Sequence, residues 1–226
     1  MIHLFFGHEE KAQAGTTAFV QSVLAHAQSP VALVPLSRMT VGDIKEGTNA
    51  FTFRRLLVPY MMGFAGTAIF VDGADMLCRA DITQMLYGNR LSDAVAVVKH
   101  DYQTKHPRKY VGTAMEADNS DYPRKQWASV MMMNCYHYAW RKVTPEYVNA
   151  AKPMDLLQLR FIHDDRIGSL PEEWNWLADE KGDNPNARLV HFTAGIPAFE
   201  HYKDSPMADE WHASLSAATS ATGGTR

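Results

Sequence analysis

Ala68-Ile69-Phe70-Val71-Asp72-Gly73-Ala74-Asp75 runs an apolar stretch straight into a turn that carries two carboxylates. A continuous apolar run of this kind, bounded by a glycine turn, is the pattern of a strand buried on both faces, as in a parallel sheet. Ligands of open α/β sheets bind beyond the carboxyl ends of such strands. Two acids so close together repel, and a hard divalent cation relieves the repulsion. Mg²⁺ or Mn²⁺ suits the position, because such ions prefer oxygen ligands and bridge to substrate phosphates. The competing local reading is an acidic turn in which Asp72 and Asp75 cap nearby backbone amides.

The flanking sequence supports the sheet. Ile2 to Phe6, Val31 to Val34 and Ala94 to Val98 are further short apolar runs. Between them Thr16 to Ala27 carries Phe19, Val20, Val23 and Leu24 at helical spacing, and Phe51 to Met62 reads as a helix with Pro59 as its kink or stop. Asp81 is placed to cap a helix over Ile82 to Tyr87. Apolar strands alternating with helical segments predict an α/β fold, a mostly parallel sheet covered on both faces. From Ser214 to Arg226 the composition falls to small and polar residues, which predicts a disordered end.

The 226 residues fit a single domain, and 46% hydrophobic with 21% charged residues is a globular composition. Two cysteines, Cys78 and Cys135, are too few for a disulfide scaffold or a thiolate zinc cluster. The N-terminal apolar run is too short for a signal peptide. The uncharged stretch Leu56 to Val71 is 16 residues long and holds Pro59, Gly63 and Gly66, short of the ~20 apolar residues of a spanning helix. A cytoplasmic protein without a transmembrane segment is the expectation. The net charge of −3 is unevenly spread. Lys99 to Lys125 holds six Lys and Arg against four acids, whereas the chain from Pro145 holds seven basic and thirteen acidic residues. The middle segment is therefore suited to an anion, unless it is an ordinary solvated loop.

Two later constellations carry chemistry. In Ala187-Arg188-Leu189-Val190-His191-Phe192-Thr193-Ala194-Gly195-Ile196-Pro197 an apolar strand ends in His191, whose neutral imidazole can complete a metal site or simply be a satisfied core histidine. Leu170-Pro171-Glu172-Glu173-Trp174-Asn175-Trp176 sets an amide between two flat aromatic faces, suited to sugars or bases and equally to a core.

Taken in order, these pieces resemble the retaining nucleotide-sugar glycosyltransferases of the glycogenin and galactosyltransferase type, glycosyltransferase family 8. The likeness spans about residues 1 to 202. Phe51 to Pro59, with Arg55 before Leu56 and Leu57, resembles the segment ahead of that family's metal strand. Thr67 to Leu77 resembles the strand that ends in Asp-x-Asp, and Ser129 to Asn134 the strand after it. Leu170-Pro171 to Trp174-Asn175 resembles the Leu-Pro-x-x-Trp-Asn segment, and Val190-His191-Phe192 to Pro197 the late histidine that joins the metal.

The resemblance implies a GT-A (Rossmann-like) domain over residues 1–203, followed by a tail over 204–226. It implies a transferase that moves a hexose, with retention, from a nucleotide-sugar donor, a UDP-sugar, to a glycan or another hydroxyl compound. Asp72, Asp75 and His191 would hold Mn²⁺ or Mg²⁺. Phe6, Gly7 and His8 would contact the nucleotide, with Asn175 and Gly195 also on the donor. Arg55 would orient the donor sugar. The acids are spaced one residue wider than Asp-x-Asp, and Ile196-Pro197-Ala198 stands where the family has Lys-Pro-Trp. The missing diphosphate-binding cation would come from Lys99, Lys105 or Lys109. The element facing the sugar falls in the interval that holds Gln158, Asp164 and Asp165. Two other readings compete. The bases and aromatics of Lys99 to Tyr110 suit nucleic acid as acceptor, against an unfavourable pI near 6.3. The altered acidic motif suits a non-catalytic nucleotide-sugar-binding module.

Overall fold

The computed structural model describes residues 1–87, 90 and 92–220. In chain order the strands are β1 (Ile2–Gly7), β2 (Val31–Leu36), β3 (Thr67–Val71), β4 (Met76–Cys78), β5 (Val95–Val97), β6 (Arg108–Lys109), β7 (Ala117–Asp118), β8 (Val130–Asn134), β9 (Ile167–Ser169), β10 (Trp176–Leu177) and β11 (Leu189–His191). The helices are α1 (Gln13–His26), α2 (Val58–Met61), α3 (Pro145–Ala150), α4 (Pro153–Leu157), α5 (Ala178–Lys181) and α6 (Ala208–Ser220).

The main sheet has six strands in the order β2-β1-β3-β8-β5-β9. All neighbours are parallel except at β8, which runs antiparallel to both β3 and β5. The acidic strand β3 thus lies inside the sheet, held by Leu4↔Ile69 and Phe6↔Val71 on one side and Val71↔Val130 on the other. Side chains alternate between faces along it. Ala68 and Phe70 enter a core with Leu56, Leu57, Met131 and Trp140, while Ile69 and Val71 enter a second core with Phe19, Met132 and Trp174. Burial on both sides explains the unbroken apolar run, and each large side chain so buried contributes about 1.5–3 kcal/mol. A second sheet, β10-β11-β4, lies after the acidic turn in the chain, with His191 opposite Met76.

Two expectations need correction. Phe51 to Met62 is not one helix: a 3-10 turn, Arg54–Leu57, precedes the short α2, and Pro59 sits in the first turn of α2 rather than ending a helix. Proline lacks only an amide that would be unsatisfied there in any case. The residues from Ser214 to Ser220 are helical, not disordered. Buried Trp211 docks α6 in a core with Ala18, and Ser214 Oγ donates to Ala18 O. Residues 221–226 of the expected tail lie outside the described residues. Among the described residues no helix is long and apolar enough to cross a membrane.

Candidate active site

The wide spacing of the acids is made by Gly73. Its φ of +70° is left-handed, which glycine adopts without strain. A Cβ there would lie 2.8 Å from Phe6 Cβ and 3.2 Å from Gly7 O. The turn closes with Ala74 N donating to Asp72 O and Met76 N to Gly73 O. Both carboxylates consequently face the same side. Phe192 N donates to Asp75 O, and this bond with the β4–β11 ladder brings His191 against the turn. His191 Nε2 lies 3.4 Å from Asp75 Oδ2 and 4.0 Å from Asp72 Oδ2.

One ligand atom from each of the three residues lies within 4.8 Å of the others. Neighbouring ligands at ~2.1 Å from a divalent ion stand ~3 Å apart, so the cluster closes on an ion with small movements. Asp75 Oδ1 is buried with no hydrogen-bond partner, as is Thr193 Oγ1 beside it in the cavity. The two carboxylates are the hard oxygen ligands that Mn²⁺ or Mg²⁺ prefer, and His191 offers a nitrogen as the third ligand. The other imidazole nitrogen, Nδ1, is 2.9 Å from Asn175 Oδ1, while Asn175 Nδ2 donates to Ser129 Oγ. Asn175 therefore directs Nε2 toward the carboxylates, a support of the kind that orients metal-ligating histidines.

Arg55 reaches the same group from the 3-10 turn. Its Nη1 is 2.7 Å from Asp72 Oδ1 and donates to Ala128 O, and its guanidinium lies 5.2 Å from the Phe51 and Phe70 ring centres. Burial raises the Asp72 pKa to about 6, against the opposing pull of Arg55. For His191 burial acts downward, but Asp75 and then Asp72 raise its pKa on balance. Protons therefore compete with a cation at both residues. Metal affinity is expected to fall as pH drops through about 6, whereas a site whose ligands stay ionised would keep its affinity over that range; titration of Mn²⁺ at pH 5, 6 and 7.5 checks this.

The cavity in front of the cluster measures about 310 Å³, at the low end for small-ligand sites. Lys109, Tyr122, Lys125, Gln126, Asn49 and Thr193 help to line it. Burial lowers the Lys109 pKa, while Asp75 and Asp72 act to raise it. The wall from residues 48–52 is held by Arg54, which donates to the carbonyls of Arg38, Thr40, Gly42 and Ala50.

Of the residues singled out from sequence, Asp72, Asp75, His191, Arg55 and Lys109 meet at this cavity, with Asn175 behind it. The others do not line it. Phe6 is in the core, Gly7 abuts the Phe51 ring and His8 bonds Thr16 Oγ1. Gly195 lies under the Tyr202 ring, and Lys105 Nζ donates to Glu180 O. Gln158 is buried and accepts from Arg160 Nε. Lys99, Asp164 and Asp165 line a different depression beside β9, with Asp164 paired to Arg124. Lys125, Tyr122 and Gln126 escaped sequence reasoning. Lys125 sits in the basic segment, but Arg124 and Gln126 on either side have left-handed φ values of 60° and 67°, which no sequence signal announces.

This sheet and crevice define the fold. The chain is similar to the bifunctional glycosyltransferase WbbM (TM-score 0.66, 14% identity, 95% of this chain and 49% of that one). It is similar also to the galactosyltransferase LgtC in complex with donor and acceptor sugar analogues (0.60, 13%, 96% of each). A third similar structure is the glycosyltransferase GlyE of Streptococcus pneumoniae TIGR4 (0.59, 13%, 95% and 60%). The chain thus spans about half the length of WbbM. The fold is that of the GT-A glycosyltransferases.

Sequence gives the family. The chain is 30% identical over 225 residues to Protein CDI of Arabidopsis thaliana, covering 92% of this chain and 83% of that protein. It belongs to the family of Protein CDI. No protein-family model matches it.

Proposed function

We propose that the protein is a glycosyltransferase that moves a hexose from a nucleoside diphosphate sugar, a UDP-sugar, to a hydroxyl acceptor with the aid of Mn²⁺ or Mg²⁺. The observation that carries this reading is the convergence of Asp72, Asp75 and His191 on one cavity at the end of β3, in a GT-A fold. Breaking the bond between anomeric carbon and diphosphate loads charge onto the leaving group, so electrostatic stabilisation is the largest requirement. A divalent cation held there supplies that charge when bound. Arg55 keeps Asp72 ionised and oriented, Asn175 aims His191, and Thr193 Oγ1 and Gln126 offer polar groups to the donor.

Retention of configuration and membership of family 8 rest on the motif resemblance, and a cytoplasmic location on the sequence expectations. The nucleic-acid reading loses support because Lys99, Lys105 and Arg108 are engaged by carbonyls and carboxylates. The test is a screen of nucleotide-sugars for slow hydrolysis without acceptor. The expected result is release of sugar from one donor class with Mn²⁺ and none with chelator. Metal-independent binding of UDP with no hydrolysis of any donor would favour the non-catalytic module.

A further inference from the structure

The segment from Lys99 to Lys125 carries six Lys and Arg side chains, and five are engaged. Lys99 Nζ donates to Ile167 O and Lys105 Nζ to Glu180 O. Arg108 pairs with Glu116 and Asp118, Arg124 with Asp164, and Lys125 with Asp121. Lys109 differs. Among the described residues its Nζ has no hydrogen bond and no carboxylate oxygen within 4 Å, and it lies over the Tyr110 ring, 5.3 Å from the ring centre.

Its direction is set by local structure. β6 pairs with β7 through Arg108↔Asp118 and Lys109↔Ala117. Alternation along a strand sends Arg108 outward to its two acids and Lys109 to the opposite face, where it lines the cavity with Asp72, Asp75 and His191. Tyr110 N donates to Ala194 O and ties the end of this strand to the segment after His191.

Charge then limits what fills the cavity. Arg55 and Lys109 together balance Asp72 and Asp75, while Lys125 is balanced by Asp121 and Asp118 by Arg108. A divalent ion on the three ligands leaves a surplus of two positive charges. A neutral sugar leaves that surplus uncompensated and a carboxylate halves it, whereas a diphosphate diester closes it.

We propose that Lys109 is the residue that makes this site selective for a diphosphate, its ammonium contacting a phosphate oxygen of the group held on the cation. The proposal rests on the metal reading above and adds the residue and ligand charge to it. Compact ammonium groups are well suited to phosphate as point charges.

The experiment titrates Mn²⁺ alone, and then inorganic diphosphate and UDP at saturating Mn²⁺, into the wild type, Lys109→Met, Lys109→Arg and Lys105→Met. A hydrogen bond to a charged group is worth about 1.5–3 kcal/mol, or roughly 10–150-fold in affinity. Lys109→Met is expected to bind Mn²⁺ as tightly as wild type or tighter, and to lose roughly that factor for diphosphate and UDP. Lys109→Arg should recover part of the loss, and Lys105→Met should match wild type. Equal diphosphate affinity in Lys109→Met and wild type overturns the proposal, as does an equal loss in Lys105→Met. Wild-type protein that binds Mn²⁺ but no diphosphate overturns this proposal alone. Wild-type protein that does not bind Mn²⁺ overturns the metal reading and Lys109's role with it.

Discussion

Asp75→Ala is expected to fold normally and to lose its response to metal. In the wild type, Mn²⁺ with UDP at about 100 times its dissociation constant should stabilise the native state by ~2.7 kcal/mol. At ~2–4 °C per kcal/mol for a chain of this size, the melting temperature should rise by roughly 5–10 °C. The variant should show no rise. Its stability without metal should change little, because two effects oppose. Removing Asp75 relieves its repulsion of Asp72, which helps to raise the Asp72 pKa, but also strips His191 of the carboxylate 3.4 Å away. Thermal denaturation with and without Mn²⁺ plus UDP reads both effects. An undiminished shift in the variant would remove Asp75 from the site.

The largest effect on stability is expected from Arg55→Met. Methionine keeps much of the apolar stem against Phe51 and Phe70 but removes the charge beside Asp72. The side chains of the pair are only 8% and 10% exposed, so the carboxylate would remain buried with its close partner gone and only His191 Nε2, 4.0 Å away, beside it. Breaking a buried pair from one side costs about 3–5 kcal/mol. The sign of the pH dependence follows. Without Arg55 the folded-state pKa of Asp72 rises further above its unfolded value, so the native state binds the extra proton and loses stability as pH rises between the two values. The deficit should therefore be larger at pH 8 than at pH 5, and Asp72→Asn in the Arg55→Met background should recover part of it. Urea unfolding at the two pH values measures this. Wild-type stability in Arg55→Met would mean that the pair does not hold the acidic turn.

The parts of the site that sequence made legible sit at the ends of buried strands. Asp72, Asp75 and His191 stand out because each lies at the end of an apolar run and carries a group able to bind a metal. The wide spacing of the acids is resolved by a local fact, the left-handed Gly73. Lys109 was legible only as one of several lysines, because a two-residue strand sets its direction and Tyr110 next to it takes a φ of +57°. Gln158 and Asp164 illustrate the opposite case. Lying in the right interval did not place them at the cavity, since α4 instead presents Met154 and Leu157 there. Composition likewise misled at Ser214 to Ser220, where Trp211 three residues earlier anchors a helix that its own small residues would not sustain.

Anomalous scattering at the manganese edge, from crystals grown with Mn²⁺ and a nucleoside diphosphate, is the direct test that one cation joins Asp72, Asp75 and His191 to a diphosphate. A single strong peak is expected ~2–2.4 Å from His191 Nε2 and an oxygen of each carboxylate, with phosphate density on its open side and toward Lys109. A nucleotide bound in the cavity with no peak among these three residues, or with manganese held elsewhere, would contradict it.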